Sequence, residues 1–394
     1  MVTPGIEVLL RDKLELIRDC RIGLLSHAPS VDRLLRNTAE CLENLGLVRI
    51  LAPEHGFFGA AQDMEPVDHE GELKQGVEVL SLYGDTPESL KPDPAMLEDL
   101  DVLVIDVVDV GARYYTYIWT AALCIEAAAA AGLRVVLCDR PNPLGGITVQ
   151  GPLLREDHRS FVGLHPLPVR HGMTVGEIVG YLNGERGLVG DIEVVRCEGW
   201  SREDTFDRTG LPWVLPSPNM PTLDTALVYP GGGLLEGTEL SEGRGTTKPF
   251  ELLGAPWIDG KRVVEHAGKA LTEAGLAEGC AIRPWRFKPM FHKHAGQVCG
   301  GVQVHVLDGE RFAPFETYLA LVMAIRRLWP DEFAWREKPY EFVTDRPAFD
   351  LLCGGPEIRE AIEEGAGLPE VAALWRDYLA GFRDVRERYL LYRD

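Results

Sequence analysis

Three apolar segments, at residues 47–52, 102–106 and 134–138, constrain the fold of this chain more than any other feature. Each is short and rich in branched side chains, which is typical of strands buried on both faces of a parallel sheet. An acid stands at or just after the end of each segment: Glu54, Asp106 and Asp139. Because the carboxyl ends of parallel strands meet at one edge of a sheet, we expect these carboxylates to converge in one cleft.

Segments with helical character lie between these strands, as in a sheet built from β-α-β units. The alanine-rich run at 121–131 is followed by Gly132, a residue type that favours helix ends. Thr174 and Glu177 have the spacing of a capping box, which predicts a helix over 174–182. Further predicted elements are a strand at 21–27, a helix from Ser30 or Asp32 to about Leu45, and a strand at 192–196. The predicted fold class is α/β, a mostly parallel sheet with helices on both faces.

The length of 394 residues favours two domains rather than one, and we expect them at 1–228 and 229–394. The second begins with a glycine-rich segment at 230–250, which we expect to form a long loop. Its other predicted elements are helices at 261–274 and 315–328, a strand at 301–307 and a helix at 371–379.

Charge and composition narrow the range of functions. The formal net charge of −21 argues against nucleic acid or an anionic membrane surface as the partner. No apolar run approaches the roughly 20 residues that cross a bilayer, and the first residues lack the features of a signal peptide. We therefore expect a cytoplasmic protein, unless a leader has been removed from the chain.

Several motifs of cofactor and metal enzymes are absent from the sequence. The eight cysteines form no Cys-x-x-Cys pair and there is no His-Glu-x-x-His, so we expect no metal site. Neither a P-loop nor a Gly-x-Gly-x-x-Gly follows the first strand, which leaves nucleotide binding without support. The lack of Gly-x-Ser-x-Gly weakens an α/β-hydrolase interpretation. We expect no organic cofactor.

Glu54 is the best candidate for a general acid or base. Pro53, Phe57 and Phe58 surround it with apolar groups, which raise the pKa of a carboxyl and keep its proton available near neutral pH. A helix cap or a surface ion pair is the alternative interpretation of this glutamate. His55 follows it directly and either contacts a ligand or serves as a structural hydrogen-bonding group.

Other polar residues follow the predicted strands, and each has a functional and a structural interpretation. Arg113 stands beside Tyr114 and Tyr115; aromatic rings stack on sugars, and arginine binds carboxylate or phosphate. One or two of the tyrosines in this cluster could instead belong to the core. The remaining candidates are Asp106, Asp109, Asp139, Arg140 and His171. Their alternatives are helix caps for the aspartates, a structural ion pair of Asp139 with Arg140, and a surface histidine.

The segment at 231–250 combines six glycines with several charged residues. Ordering such a loop costs conformational entropy unless it binds something, so we favour a binding loop over a mobile, solvated one. Its charged residues are Glu236, Glu239, Glu242, Arg244 and Lys248.

Eight motifs in a fixed order resemble a known family. They are Pro-Glu-His-Gly at 53–56, Ser-Leu-Tyr-Gly at 81–84, Asp-Val-Gly-Ala-Arg-Tyr-Tyr-Thr-Tyr at 109–117, Asp-Arg-Pro-Asn-Pro at 139–143, Ser-Phe-Val-Gly at 160–163, His-Gly-Met-Thr at 171–174, Pro-Ser-Pro-Asn-Met-Pro at 216–221, and Glu-Gly-Thr-Glu-Leu-Ser-Glu-Gly-Arg-Gly-Thr-Thr-Lys-Pro-Phe at 236–250. The chain resembles the NamZ-like exo-β-N-acetylmuramidase family, formerly a domain of unknown function. It departs from the family's pattern at Val108, where relatives usually have Gln, and at His27, where they tend to have Asn.

The resemblance implies a Rossmann-like N-terminal domain, a smaller α/β C-terminal domain and an active-site cleft between them. It implies that the enzyme removes N-acetylmuramic acid from non-reducing ends of peptidoglycan fragments, with Glu54 as the catalytic acid. The polar residues of the matching motifs, Asn219 among them, are then the expected substrate-binding groups. The implied partner is a saccharide that contains muramic acid.

Glycoside hydrolysis usually needs two carboxyl groups, although the N-acetyl group of the substrate can act as the nucleophile instead. The candidates for a second carboxyl group are Asp106, Asp109, Glu236 and Glu239. Arg244 and Arg113 are candidates for binding the lactyl carboxylate of the sugar. Two alternative functions remain open: an esterase or amidase that uses Ser241 with His171, and a non-catalytic muropeptide-binding protein.

Overall fold

The computed structural model describes residues 1–69, 71–74, 76–188 and 190–393. The strands in these parts are β1 (Ile22–Ser26), β2 (Leu47–Ala52), β3 (Gly71–Lys74), β4 (Val77–Ser81), β5 (Val102–Asp106), β6 (Arg134–Cys138), β7 (Gln150–Leu153), β8 (Pro168–Arg170), β9 (Asp191–Val195), β10 (Leu252–Ala255), β11 (Cys280–Phe287) and β12 (Cys299–Val306). The α-helices are α1 (Gly5–Asp12), α2 (Thr38–Leu42), α3 (Pro94–Leu97), α4 (Tyr117–Ala130), α5 (Val175–Arg186), α6 (Phe206–Thr209), α7 (Leu223–Gly232), α8 (Gly260–Glu273), α9 (Pro314–Leu328), α10 (Ala348–Cys353), α11 (Glu357–Glu363), α12 (Leu368–Ala373) and α13 (Arg376–Arg386). None of these helices is both long and apolar enough to cross a membrane.

Seven of the described strands form one sheet in the order β3-β4-β2-β1-β5-β6-β9. β3 is antiparallel to β4, and the other neighbouring pairs are parallel. The order of the strands reverses between β1 and β5, because β2 lies beside β1 on one side and β6 beside β5 on the other. A crevice forms outside the carboxyl ends of the strands at such a reversal. The predicted α/β fold class is confirmed.

The large sheet carries a core on each of its faces. β1 and β5 are buried along their whole length, as central parallel strands are. Successive side chains point to opposite faces of a strand. Leu24 and Val104 therefore pack with side chains of α1 and α2, whereas Leu25 and Ile105 pack with those of α4 and α5.

Local sequence signals set the ends of two helices as predicted. The Thr174 hydroxyl accepts the N–H of Glu177, and the Glu177 carboxylate accepts the N–H of Thr174, so the capping box begins α5. At the end of α4, Gly132 has a φ of 71°, and the N–H of Leu133 reaches the carbonyl of Ala128. This is the left-handed termination that glycine permits.

The helix predicted over 30–45 is wrong in its first half, whereas α2 and a 3₁₀ turn at Glu43–Leu45 form its second half. α2 begins only after Asn37, whose side chain caps it. The Asp32 carboxylate accepts the N–H groups of Leu34 and Arg36, at 2.8 and 2.9 Å. Asp32 therefore folds the chain into a turn instead of starting a helix.

The remaining described strands form two small antiparallel sheets, with β10, β12 and β11 in that order in one and β7 and β8 in the other. Apolar side chains of α8 and α9 pack on the three-stranded sheet. β11 was not predicted because Pro284 and two arginines interrupt its pattern. The helix predicted at 371–379 is instead the pair α12 and α13, which meet at Leu374 and Trp375.

The glycine-rich segment at 230–250 is not the single long loop that the sequence predicts. Its first residues end α7, and a 3₁₀ turn follows at Gly233–Gly237. A Cβ atom on Gly231 would lie 2.0 Å from the carbonyl oxygen of Pro314 at the start of α9. The glycine is needed there because two helices approach closely. The domain boundary placed at residue 228 falls inside α7.

Replacing Gly231 by alanine should destabilise the protein by about 1–3 kcal/mol, because the new methyl group has no space between α7 and α9. The free energy of unfolding can be measured by denaturant titration. Gly268→Ala is the matched control, since nothing lies within 4 Å of a Cβ on this residue of α8, and alanine there should stabilise the helix by roughly 0.5–1 kcal/mol. Equal stability of the two variants would contradict the packing account.

Candidate active site

A cavity of about 40 Å³ lies beyond the carboxyl end of β2. Four acidic side chains line it: Glu54, Asp63, Glu236 and Glu341. Arg244 is the one arginine or lysine among the described residues of its lining. The aromatic side chains of the lining are Tyr114, Tyr115, Tyr117, Tyr229, Phe250 and Tyr340. The site is therefore a small cavity with aromatic walls and an excess of acid.

Glu54 reaches this cavity because β2 ends at the preceding alanine and Pro53 turns the chain outward. Its side chain is buried, with 5% of the residue exposed. The Thr116 hydroxyl donates to Oε2 over 2.7 Å, and the N–H of Met64 lies 3.4 Å from Oε1. These contacts orient one carboxylate toward the cavity, as a proton-transfer group requires.

Two predicted binding residues, His55 and Asn219, hold the walls of the cavity. His55 has a left-handed φ of 71°, and its Nδ1 lies 2.9 Å from the carbonyl oxygen of Ala61. The Asn219 side-chain amide donates to Oε1 of Gln62 over 2.8 Å. Both contacts fix the segment that follows Glu54 against the rest of the site.

The tyrosines after β5 form one wall of the cavity, as the sequence predicts. The Tyr114 hydroxyl donates to the carbonyl of Tyr229 over 3.2 Å. The Tyr117 hydroxyl lies 3.3 Å from the carbonyl oxygen of Glu54, and its ring packs edge-on against Tyr115 at 4.9 Å. The hydroxyl groups of Tyr114 and Tyr117 are tied to the backbone, so these two side chains present rigid ring edges and faces to the cavity.

Arg244 is held by carboxylates from two segments of the chain. Its guanidinium lies 2.7 Å from Asp63, 3.1 Å from Glu236 and 3.6 Å from Glu242. The other oxygen of Glu236 accepts the Tyr340 hydroxyl over 2.5 Å. The predicted lactyl-binding cation is therefore already compensated by acids in the absence of a ligand.

Glu341 is a site residue that the sequence analysis missed. It lies almost 300 residues from Glu54 in the chain, yet its buried side chain lines the same cavity. The Tyr83 hydroxyl donates to its Oε2 over 3.1 Å. Tyr83 belongs to one of the family motifs, but nothing local to position 341 indicates a function there.

Burial shapes the ionisation of these acids. It raises the pKa of Glu341, and the negative charge of Glu54 raises it further. Burial also raises the pKa of Glu236, although the charge of Arg244 opposes this. The cavity consequently keeps protons at a pH where exposed glutamates have lost theirs.

Asp106 and Arg140 were predicted as site residues, but they form a buried ion pair with each other. Arg140 donates to both oxygens of the aspartate, over 2.5 and 2.8 Å, and the Thr38 hydroxyl donates to one of them. Because every oxygen of Asp106 is engaged, this acid is not a second catalytic carboxyl. The pair links the ends of β5 and β6.

Asp139 does not pair with Arg140, contrary to the structural alternative considered for it. Its carboxylate accepts the Thr174 hydroxyl, the N–H of Gly176 and the Tyr392 hydroxyl, each at 2.7–2.9 Å. Burial raises its pKa to about 6. Asp139 therefore anchors the start of α5 and the C-terminal segment, rather than a substrate.

Arg113 is fully buried and does not reach the cavity. Its guanidinium donates to the carbonyl groups of Pro152, Leu167 and Leu352. With no carboxylate beside it, burial lowers its pKa to about 10. Arg113 therefore holds together the three segments that contain these carbonyl groups. The sequence suggests it as a cation for the lactyl carboxylate, but its guanidinium points away from the cavity into these contacts.

Asp109 and His171 lie together beside a second cavity, also of about 40 Å³, at the reversal of strand order. Oδ2 of Asp109 accepts the N–H of Gly111 and is 3.5 Å from Nε2 of the buried His171. Apolar side chains such as Trp213 dominate the lining of this cavity. Neither predicted residue lines the cavity of Glu54.

The two departures from the family pattern contact each other. Nε2 of His27 accepts the N–H of Val108 over 3.0 Å, and the imidazole packs edge-on against Tyr117 at 4.5 Å. Burial holds the pKa of His27 well below its ordinary value, so the ring is neutral. These substitutions therefore act behind the tyrosine wall rather than on its surface.

Glu239 and Ser241, in the glycine-rich segment, also lie away from the cavity. Glu239 is exposed in a cleft beside His294, whose Nε2 lies 3.0 Å from its backbone carbonyl. The buried Ser241 hydroxyl accepts the N–H of Gly243, and among the described residues no hydrogen bond joins it to His171. The nucleophile–base pair of an esterase is not formed.

The cavity thus brings part of the predicted site together. Assembled around Glu54 are His55, Tyr114, Tyr115, Asn219, Glu236 and Arg244. Placed elsewhere are Asp106, Asp109, Arg113, Asp139, Arg140, His171 and Glu239. Within the described part of the chain, no three His, Cys, Asp or Glu side chains are grouped as a metal site needs.

Two family models match consecutive parts of the chain. The exo-beta-N-acetylmuramidase NamZ N-terminal model matches residues 22–224, and the C-terminal model matches residues 227–392. The chain belongs to the NamZ family. A family member in Bacillus subtilis (strain 168), "Peptidoglycan beta-N-acetylmuramidase NamZ", is 42% identical over 394 residues, which cover 99% of this chain and 91% of that protein.

Solved NamZ-family structures agree with the fold. Two crystal structures of DUF1343 family proteins from Bacteroides fragilis NCTC 9343 have TM-scores of 0.87 and 0.74 to this chain, at 32% and 29% sequence identity. Each comparison covers 100% of this chain and 99% of the other. The family predicted from the motifs is confirmed.

If Arg140 is structural, Arg140→Gln should lower the free energy of unfolding by about 3–5 kcal/mol, because it leaves the Asp106 charge buried without its partner. Arg134→Gln is the control, since Arg134 and Asp191 form an exposed pair at 3.3 Å whose loss should cost about 0–1 kcal/mol. Denaturant unfolding measures both. An Arg140→Gln protein as stable as the control would contradict the structural role.

Proposed function

We propose that this chain is an exo-acting glycoside hydrolase that releases N-acetylmuramic acid from the non-reducing end of peptidoglycan fragments, with Glu54 as the general acid. The name of the Bacillus subtilis relative supports the substrate class. The observation that carries the proposal is the buried Glu54 carboxyl in a cavity with other acids, since glycoside hydrolysis commonly needs a proton donor and a second carboxyl.

The exo mode of action is supported by the position of the cavity. Glu54 and the tyrosines at 114–117 come from the first predicted domain, 1–228. Glu236, Arg244 and the 340–341 pair come from the second, 229–394. We propose that the site lies between these two domains, where the small cavity receives the end of a saccharide chain.

Arg244 is the proposed partner of the lactyl carboxylate. Arginine binds carboxylates through two parallel hydrogen bonds, but here Asp63 and Glu236 already occupy it. A sugar carboxylate must therefore replace one of these charges. Protonation of Glu236, whose pKa is raised by burial, removes the competition. The proposed recognition of an acidic sugar is thus coupled to a proton.

The proposed chemistry follows from the position of Glu54. Its proton passes to the glycosidic oxygen while the bond between that oxygen and the anomeric carbon breaks, and water supplies the new oxygen on the sugar. Thr116 orients the carboxyl, and the tyrosine wall keeps the ring of the sugar in place.

Glu54→Gln should lower kcat/KM for a disaccharide with an N-acetylmuramic acid end by about 10²–10⁴-fold, because a sugar leaving group needs a proton. With para-nitrophenyl N-acetylmuramic acid the loss should be smaller, since nitrophenolate departs without one. Chromatography of the sugar products and release of nitrophenol measure the two rates.

Glu239→Gln is the control for this experiment, because Glu239 is exposed in another cleft, and its activity should match wild type. The para-nitrophenyl N-acetylglucosamine analogue tests recognition of the lactyl group and should be hydrolysed poorly. Unchanged turnover by Glu54→Gln would contradict the assigned role. Tight binding of muropeptides without any turnover by wild type would instead favour a binding protein.

Affinity for N-acetylmuramic acid should fall as pH rises, because Glu236 loses its proton and again competes for Arg244. A carboxyl whose pKa is raised in the cavity keeps its proton at low pH and becomes a competing anion at higher pH. Calorimetry of the free sugar at several pH values measures this. N-acetylglucosamine should show no comparable trend, and Glu236→Gln should flatten the trend. A pH-independent affinity for N-acetylmuramic acid would contradict the coupling.

A further inference from the structure

Glu341 and Glu54 are buried carboxyls in one cavity, and within the described part of the chain neither forms an ion pair with a cation. Arg244, the cation of the lining, is occupied by Asp63 and Glu236. Among the described residues, no lysine, arginine or histidine forms an ion pair with Glu341. Buried carboxyls that share a cavity without a cation to pair with do not all ionise readily, and burial raises the pKa of Glu341.

The backbone at Glu341 is held in an unfavourable conformation. Glu341 and Phe342 have consecutive left-handed φ values of 46° and 64°. Reciprocal hydrogen bonds between Tyr340 and Val343, at 2.9 and 3.0 Å, close this turn. Non-glycine residues adopt such a conformation only where the surroundings impose it, often at functional sites. The turn directs an acid into the cavity at a cost in stability.

Several charged or titratable groups face Glu341 from the elements around it. They are Glu54 after β2, Asp63 in the following loop, Tyr83 after β4, Glu236 and Arg244 in the glycine-rich segment, and Tyr340, which directly precedes Glu341 in the chain. Burial is the first cause that raises the pKa of Glu341, and the charge of Glu54 is the second. The Tyr83 hydroxyl acts in the opposite direction, because it donates to the carboxylate.

Glu236 is a weaker candidate for the same role. One of its oxygens faces Arg244 at 3.1 Å and the other accepts the Tyr340 hydroxyl at 2.5 Å. Both oxygens are therefore engaged. Among the described residues, the hydrogen bond to the Glu341 side chain comes from Tyr83 at Oε2, which leaves Oε1 to share a proton or meet a substrate.

We propose that Glu341 is the second catalytic carboxyl and that it holds one proton jointly with Glu54. This inference rests on the hydrolase function proposed above. The shared proton passes to the glycosidic oxygen, which takes the electron pair of its broken bond to the anomeric carbon. A water oxygen then bonds to that carbon, and the proton that the water loses returns to the pair. Both carboxyls are restored, and only water is consumed.

Glu341→Gln should lower kcat/KM about 10²–10⁴-fold on the disaccharide and move the high-pH limb of its pH profile downward. The limb moves because the substitution removes Glu341, the carboxyl whose pKa is raised by burial and by the charge of Glu54. Glu239→Gln should change neither quantity. Wild-type kcat/KM, or a lower rate with an unmoved limb, would overturn the proposal.

Tyr83→Phe provides a test of opposite sign and leaves both carboxyls in place. Loss of the hydroxyl removes a donor that stabilises the ionised form of Glu341, so the high-pH limb should move upward. A limb that stays in place in Tyr83→Phe, or moves downward, would contradict the shared proton. Tyr83→Phe therefore tests the shared proton even if the Glu341→Gln protein does not fold.

Carbon-13 NMR of the glutamate carboxyl groups tests proton sharing without a substrate. Wild type should show a resonance that titrates well above the ordinary glutamate pKa of about 4.3, and it should be lost in Glu341→Gln and shifted in Glu54→Gln. If wild type hydrolyses no substrate but shows this resonance, the proposed function fails and the proton pair stands. A resonance unaffected by Glu54→Gln would overturn the pair.

Discussion

The site depends on four carboxyl groups, three of them buried, that lie around the guanidinium of Arg244. Arg244 neutralises only part of that charge, since it pairs with Asp63 and Glu236 and lies 3.6 Å from Glu242. Buried charge without a partner is costly. The remaining acids therefore either accept hydrogen bonds from hydroxyl groups or keep protons. A retained proton is what the proposed glycosidase needs from its donor, so the same electrostatic constraint would serve both the proposed reactivity and the proposed selectivity for an acidic sugar.

The acids of the cavity come from distant parts of the chain, and hydrogen bonds between those parts hold them in place. Tyr83, after β4, donates to Glu341, and Tyr340 donates to Glu236. Close packing of α7 on α9 at Gly231 positions the segment that carries Glu236. The cavity therefore forms only when both predicted domains are folded and in contact. Contacts to the backbone also make its wall rigid, because the hydroxyl groups of Tyr114 and Tyr117 are hydrogen-bonded to backbone carbonyls.

The sequence predicted what depends on local patterns and missed what depends on tertiary contacts. Strand ends were readable from short apolar runs, and Glu54 was correctly placed in a cavity at such an end. Asp106 and Asp139 also follow strand ends, but Arg140 donates to Asp106 and the start of α5 donates to Asp139. No local sequence signal reveals these contacts. The helix expected directly after Asp32 does not form, because the Asp32 carboxylate accepts the N–H groups of Leu34 and Arg36 and stabilises a turn. Glu341 could not be predicted because its role depends on contacts with segments about 260–290 residues away.

The most direct test of the account is a crystal structure of the Glu54→Gln protein with a disaccharide that ends in N-acetylmuramic acid. The account predicts the glycosidic oxygen within about 3 Å of the residue 54 side chain. It also predicts the lactyl carboxylate on Arg244 and Glu341 beside the scissile bond. A disaccharide bound instead in the cavity lined by Trp213, or one whose glycosidic oxygen lies far from residue 54, would contradict it.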